Sequence, residues 1–423
     1  MARRRRGRRM SIEPPVTTEA LAAPTYARLV RVPGFRALAG SALLSRTANR
    51  MWEVGLVLFV LERYHSAPLA GLAVFLSIVP GLLLAPLAGA LLDRHGRRRL
   101  IFLDNAIAGS ALASIGLLAI TGGLSRAALL AIVGVASLTF TLTAAGTRSL
   151  FPLVIPRSDW DLANAVDSGS EALSAVIGPA LAGGLVAAIG GAHTLLASGF
   201  VYLLAGVAVL NVREPRAAAD QPRVPLLRAA REGLRYVVTN PTLRSVAVVL
   251  SMANLGFGQL VVILPVLVLE RLHSGAGTVG ALWALSGGVA VCSGLLMGRL
   301  GTVGRERRSM ALGFVLLTAG FLVLMLPSLA AVILGLILCG LAIGPIDIAL
   351  FSLRQRRTDP AMFGRAFAVS MSLNYAGMPF GSGLAGPVVS RSTVLALAEA
   401  AGLNLVAAGL ALGIIPRPEA SAD

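Results

Sequence analysis

The chain has 423 residues, of which 56 % are hydrophobic and 13 % charged, with 37 basic against 20 acidic side chains for a net charge of +17, and a mean hydropathy of +0.79. A soluble domain carries roughly 25 % charged residues, and apolar runs of about 18 residues or more recur along this chain, which excludes a soluble globular class. The basic excess does not point to nucleic acid, because every basic residue is arginine and the aromatics, at 5 %, are too few and scattered to stack bases. The two cysteines, Cys292 and Cys339, lie inside apolar runs with neither disulfide nor metal-ligand spacing, so no metal or cofactor is expected.

Residues 1–36 read as a polar tail opening on Arg3 to Arg6, Arg8 and Arg9; no apolar run follows until residue 37, which argues against an export signal, and Met10 is an alternative start. Twelve apolar runs follow, at roughly 37–62, 69–92, 100–121, 127–147, 164–189, 194–212, 243–270, 277–299, 310–326, 330–351, 365–389 and 394–415, predicting an all-α integral membrane protein with twelve transmembrane helices. Alternate linkers hold only Arg63, Arg126, Arg271 and Arg391, while nearly all other arginines fall on the opposite side. That asymmetry places both termini in the cytoplasm of a plasma-membrane protein. The longest inner linker, 213–242, separates a six-helix half at 37–212 from another at 243–415, and 416–423 forms a short tail. Within the linker Arg228, Arg231 and Arg235 share one helical stripe and Leu227, Ala230, Leu234 and Val238 another, the pattern of a helix lying in the membrane interface.

Between runs two and three stands Gly89-Ala-Leu-Leu-Asp93-Arg94-His-Gly96-Arg97-Arg98-Arg99, a charged turn too short for anything but antiparallel neighbours. Gly89 allows close helix approach and Gly96 supplies a sharp turn. Gly304-Arg-Glu-Arg-Arg after run eight echoes it, and Gly178-Pro179-Ala-Leu-Ala-Gly183-Gly184 in run five is answered by Gly381-Ser-Gly-Leu-Ala-Gly386-Pro387 in run eleven. The Asp-Arg-x-Gly-Arg-Arg turn resembles the signature between helices 2 and 3 of the major facilitator superfamily of secondary transporters. Arg354-Gln-Arg-Arg357 and Gly364-Arg365 resemble its bacterial branch of drug and siderophore exporters. The resemblance implies the superfamily's fold of two parallel six-helix repeats with substrate between them. It also implies that Asp93, Arg94, Arg97 and Arg98 form a cytoplasmic gate, with Asp93 facing the start of helix 11. The run-five motif is similar to a pattern of proton-exchanging exporters, although Ser174 stands where a glycine is usual and one extra residue precedes the glycine pair.

Polar groups at membrane depth are costly and mark function. Arg46, Asn49, Arg50 and Glu53 share one stripe of helix 1, and helices 1, 4, 7 and 10 line the cavity in proteins this one resembles. Either the arginines bind an anionic or zwitterionic group with Glu53 as proton carrier, or Arg50 and Glu53 are a packing pair. Asp167 and Glu171, one turn apart, suit proton uptake or pair with loop arginines such as Arg148 or Arg157. Asp347 is a coupling carboxylate or a salt-bridge partner of Arg354. Asp104 reads as a gate or packing residue, and Thr139, Thr143, Asn254, Gln259, Asn374 and Tyr375 are the uncharged candidates. His65, His95, His193 and His273 fall in linkers or at helix ends, and no nucleophile triad or Walker loop is visible, which argues against an enzyme or an ATP-driven pump. The expected function is proton-coupled export of a small organic molecule by a monomer, with import or uniport as the alternative.

Overall fold

The computed structural model describes residues 26–156, 159–214, 226–359 and 362–417, and these are helical throughout, without a strand. The basic tail before residue 26, Arg157 and the end of the chain lie outside the described residues. In chain order the helices are α1 (Tyr26–Arg31), α2 (Phe35–Tyr64), α3 (Ala67–His95), α4 (Arg97–Ile120), α5 (Arg126–Ser137), α6 (Thr141–Val154), α7 (Trp160–Ile189), α8 (Gly191–Leu210), α9 (Leu226–Thr239), α10 (Pro241–Val266), α11 (Ala276–Leu300), α12 (Glu306–Leu324), α13 (Leu329–Arg357), α14 (Phe363–Tyr375), α15 (Gly377–Val389) and α16 (Thr393–Gly413). A π-helical turn, Leu267–Arg271, extends α10.

The ends of these helices follow from local chemistry. Ser66, Ser125, Ser328 and Ser392 accept the backbone N–H of the third residue beyond them, starting α3, α5, α13 and α16, and Asn240 does the same for α10. Chain reversals use positive φ at Gly96, Gly190 and Gly301, and also at His65 and His273, which occupy equivalent places after α2 and after the π turn. Serine caps and left-handed histidines therefore recur in both parts of the sequence.

Among the described residues, ten helical stretches are long and apolar enough to cross a membrane. Two expected runs fall outside that set for separate reasons. Helix α2 has the length, at 30 residues, but carries Arg46, Arg50 and Glu53. The eleventh run is split into α14 and α15, 13 residues each, too short to span alone. The fourth run is also broken, between α5 and α6. There the buried Asp104 of α4 accepts the Thr143 N–H at 3.0 Å, and Asn105 donates to the Thr143 hydroxyl at 3.1 Å. A carboxylate borrowed from the neighbouring helix satisfies donors that open at the N-terminus of α6. Asp104 is thus a cap. Asp104→Ala should lower stability by about 1–2 kcal/mol, and Asp104→Asn, which keeps an acceptor, should retain most of it in thermal unfolding of the purified protein.

The first six long helices pack mainly on one another, as α2 against α7 and α8 and α4 against α8, and the later ones do likewise, as α12 against α13 and α10 against α15 and α16. The two groups meet through α3 on α15 and α7 on α11. These seams are made of glycine against backbone. A Cβ on Gly183 would lie 2.6 Å from the Ala276 carbonyl oxygen, one on Gly280 2.5 Å from that of Pro179, and one on Gly386 2.5 Å from that of Ala67. Gly71 abuts the Ser382 carbonyl in the same way, and Phe75 meets Phe380 edge-on with ring centroids 5.5 Å apart. All these contacts lie at the end remote from the Gly96–Arg99 turn. Toward the arginine-rich end, Gly169 of α7 and Gly294 and Gly298 of α11 have open space where a Cβ would stand. The α7–α11 seam is sealed at one end only.

Candidate functional site: a polar ladder and a central cavity

The polar stripe of α2 faces α7. Arg46 sits between two carboxylates, with Nη2 2.7 Å from Asp167 and Nε 2.9 Å from Glu171, and also donates to the Asp167 carbonyl and the Ser170 hydroxyl. One turn on, Arg50 reaches Glu53 at 3.0 Å and Glu171 at 3.1 Å. Asn49 donates to Glu53 at 2.8 Å and accepts from the Tyr202 hydroxyl of α8 at 3.1 Å. Glycine at 178 makes this possible, because a Cβ there would collide with the Cβ of Arg50. Two arginines are thus paired with three carboxylates, which leaves one negative charge in excess. Asp167 and Glu171 pair with α2, not with Arg148, which lies within α6 and not in a loop, and neither arginine of α2 stands as an isolated cation. Removing one member strands the others: Arg46→Ala should cost on the order of 3 kcal/mol, read as a fall in thermal-unfolding midpoint, and Asp167→Asn in that background should recover part of it.

Between the two helix groups lies a cavity of about 380 Å³. Arg50 and Glu53 reach it from α2 and Pro179 from α7, but most of the wall comes from α10, α11, α13 and α14. The apolar part includes Phe257, Trp283, Phe351 and Met371, with the Phe257 and Trp283 rings edge-on at 6.3 Å. The polar part of that wall is Asn254, Ser286, Asp347, Asn374 and Tyr375. Among the described residues Asp347 has neither a hydrogen-bond nor a salt-bridge partner. The Asn374 side chain is buried, and neither its oxygen nor its nitrogen is hydrogen-bonded, while its backbone carbonyl accepts from Asn254 at 2.9 Å. The Arg354 alternative for Asp347 is not realised as a direct contact, although the Arg354 charge acts on the carboxylate at longer range. Arg354 is buried against the Met371 sulfur at 2.6 Å and the Phe367 ring at 5.7 Å.

Of the expected pathway residues, Arg50, Glu53, Asn254, Asp347, Asn374 and Tyr375 line the cavity, whereas Arg46, Asn49, Asp167 and Glu171 form the ladder behind it and Gln259 is buried away from it. Trp283, Phe257 and Met371 were not singled out from sequence. Phe257 and Met371 each lie three residues from a flagged asparagine, so helical register from Asn254 and Asn374 would have found them; Trp283 had no such marker. In the run-five motif Gly178 and Gly183 make close contacts, but Gly184 does not, having open space at its Cβ position. Its expected packing role is not seen. No cluster of three or more His, Cys, Asp or Glu among the described residues could hold a metal ion.

At the charged turn, Gly96 adopts φ 88° and starts α4. The Arg97 and Arg98 backbone N–H groups donate to Glu214 at 2.9 and 3.0 Å, the Arg97 side chain reaches Ser149 at 3.1 Å, and that of Arg98 reaches the Val212 carbonyl at 3.2 Å. Glu214, overlooked in sequence, caps α4 and holds both arginines within the first helix group. Arg94 is exposed. The side chain of Asp93 and the surroundings of Gly89, and with them the expected contact to the start of α14, lie outside the described residues.

Comparison with known proteins agrees with this architecture. A family model described as "Major Facilitator Superfamily" matches residues 38–419. The chain is 38 % identical over 403 residues to an uncharacterized MFS-type transporter, y4rN, of Sinorhizobium fredii, covering 94 % of this chain and 98 % of that one. It is 28 % identical over 401 residues to the multidrug efflux pump Tap of Mycobacterium tuberculosis, covering 91 % of each, and 27 % identical over 403 residues to the enterobactin exporter EntS of Citrobacter koseri, covering 90 % and 88 %. Among solved structures, a bacterial homologue of the iron transporter ferroportin in an inward-facing state superposes with a TM-score of 0.69 at 18 % identity, over 92 % of this chain and all of that one; that likeness speaks to the fold alone. The match runs nearly end to end and the helix arrangement agrees: the chain belongs to the major facilitator superfamily of membrane transporters.

Proposed function

We propose that this transporter exports a small organic molecule across the plasma membrane in exchange for protons, working as a monomer by alternating access. In this reading the α5–α6 and α14–α15 pairs each cross the membrane once and α2 crosses despite its charges. That gives twelve spans in two six-helix halves, 37–212 and 243–415, with both termini cytoplasmic and the linker 213–242 between them. The arginine-rich end then faces the cytoplasm, and the glycine seams close the outer side.

The observation that carries the reading is an unpartnered carboxylate, Asp347, in an aromatic-lined cavity between the halves. An ionised carboxylate with no cation in contact, and only the more distant Arg354 charge acting on it, is costly at that depth. A proton relieves the cost, and so does a cationic group on a substrate. Competition of the two for one carboxylate is the physical content of antiport. The ladder bears on substrate class: with Arg46 away from the cavity, Arg50 held by Glu53 and Glu171, and carboxylates outnumbering arginines, the cavity favours an amine-bearing molecule over the anion expected from the arginines alone. The efflux-pump relative supports the outward direction.

The test is substrate-dependent proton movement in proteoliposomes loaded with a pH-sensitive dye, across a panel of organic amines, neutral amphiphiles and catecholate siderophores. Antiport expects amines to drive protons against their own flux. Substrate crossing without proton movement would make the chain a uniporter, and parallel movement of both would make it an importer.

A further inference from the structure

Helix α9 has one face docked on the protein and one face turned out. On the inner face the Tyr236 hydroxyl accepts the Asp359 N–H at 2.9 Å, and Val237 packs with Leu243, Ala366, Val369 and Leu373. The adjoining Asn240 donates to the Arg357 carbonyl at 3.1 Å. On the outer face Arg231 and Arg235 are exposed, and so are Leu234 and Val238, at 46 % and 49 %. At 3.6 residues per turn each of these apolar side chains lies about 60° around the helix from an arginine. Guanidinium groups thus border one side of an apolar stripe, an arrangement that seats a helix at the boundary of acyl chains and phosphate headgroups.

What α9 grips is the cavity wall. Helix α14 supplies Met371, Asn374 and Tyr375 to the cavity, and it is a separate helix from α15, whose Gly377 and Gly381 are locked against the Ser251 and Leu255 carbonyls of α10. The helical hydrogen-bond ladder between α14 and α15 is interrupted at Ala376, whose N–H bonds back to Leu373, and α9 is packed along α14. We propose that the outer face of α9 binds anionic phospholipid headgroups, and that lipid held there clamps α14 and favours the conformation seen here. Membrane lipid composition then sets how readily the cavity changes state. The inference adds a regulator to the transport reading and rests on that reading only for the membrane setting of the chain.

The experiment uses the purified full-length protein in detergent, supplied with phosphatidylglycerol or with phosphatidylcholine of the same acyl chains. Native mass spectrometry counts retained lipid, and hydrogen exchange follows peptides from 363–375. Wild type should retain phosphatidylglycerol in preference to phosphatidylcholine. Arg231→Gln/Arg235→Gln should weaken that retention by roughly 30-fold, at about fivefold per arginine. Both positions are exposed, so folding is not at stake. Bound phosphatidylglycerol should slow α14 exchange, roughly threefold or more, in wild type but not in Tyr236→Phe, which still binds lipid but lacks the Asp359 bond. Equal retention of the two lipids, or undiminished preference in the double variant, overturns the docking surface. Retention with unchanged α14 exchange overturns the clamp. No arm measures transport, so failure here leaves the antiport reading standing.

Discussion

Asp347→Asn should uncouple the transporter: in dye-loaded proteoliposomes, substrate-driven proton movement should fall by roughly 10-fold to 100-fold, the range of a coupling free energy between two ligands. The reason lies in what surrounds the residue. Asp347 is the cavity carboxylate that no cation contacts, Arg354 acting on it only at longer range, whereas Glu53, which also reaches the cavity, is held by Arg50 at 3.0 Å and by Asn49 at 2.8 Å. Asparagine keeps the size and loses the proton site. Glu53→Gln should behave differently, releasing Arg50 toward Glu171 and lowering stability more than coupling. Transport should persist in Asp347→Asn as downhill flux that no longer responds to a pH gradient. If Glu53→Gln uncouples and Asp347→Asn does not, the ladder carries the proton and the assignment reverses.

The second large effect concerns the seams. Gly71→Val/Gly183→Val should abolish the conformation described here. A side chain at Gly71 runs into the Ser382 carbonyl, and a Cβ at Gly183 would lie 2.6 Å from the Ala276 carbonyl, backbone against which nothing can rotate away. Overpacking of this kind costs about 1–3 kcal/mol per site, and a combined bias of about 3 kcal/mol shifts a two-state equilibrium by roughly 100-fold. Spin labels at Gly123→Cys and Leu326→Cys, on linkers at the sealed end, in a background with Cys292 and Cys339 replaced, should report a longer distance in the double valine variant. Gly184→Val is the control, since open space surrounds that position. An unchanged distance distribution in the double variant would mean that the seams yield, and that glycine there is not what holds this end shut.

Much was legible in the sequence because hydrocarbon imposes one-dimensional rules. A segment must be apolar for about 20 residues to cross as a helix, and arginine stays on one side, so runs, reversals and their approximate bounds could be read residue by residue. The stripe Arg46, Asn49, Arg50, Glu53 was legible for the same reason: charges at that depth must face protein, and spacing alone puts them on one face. Sequence could not choose their partners. Asp167 is 121 residues from Arg46 and Glu171 is 121 from Arg50, and no local rule reaches across that separation. Nor could it show that Asp104 caps a break in the next helix, that Glu214 rather than the arginines themselves organises the charged turn, or that Gly183 is packed while the adjacent Gly184 is not. Tertiary structure alone decided which charges pair and which carboxylate is left without a contacting cation. Burial fixes how many polar groups must be satisfied, but only the packing of distant helices fixes which group satisfies which.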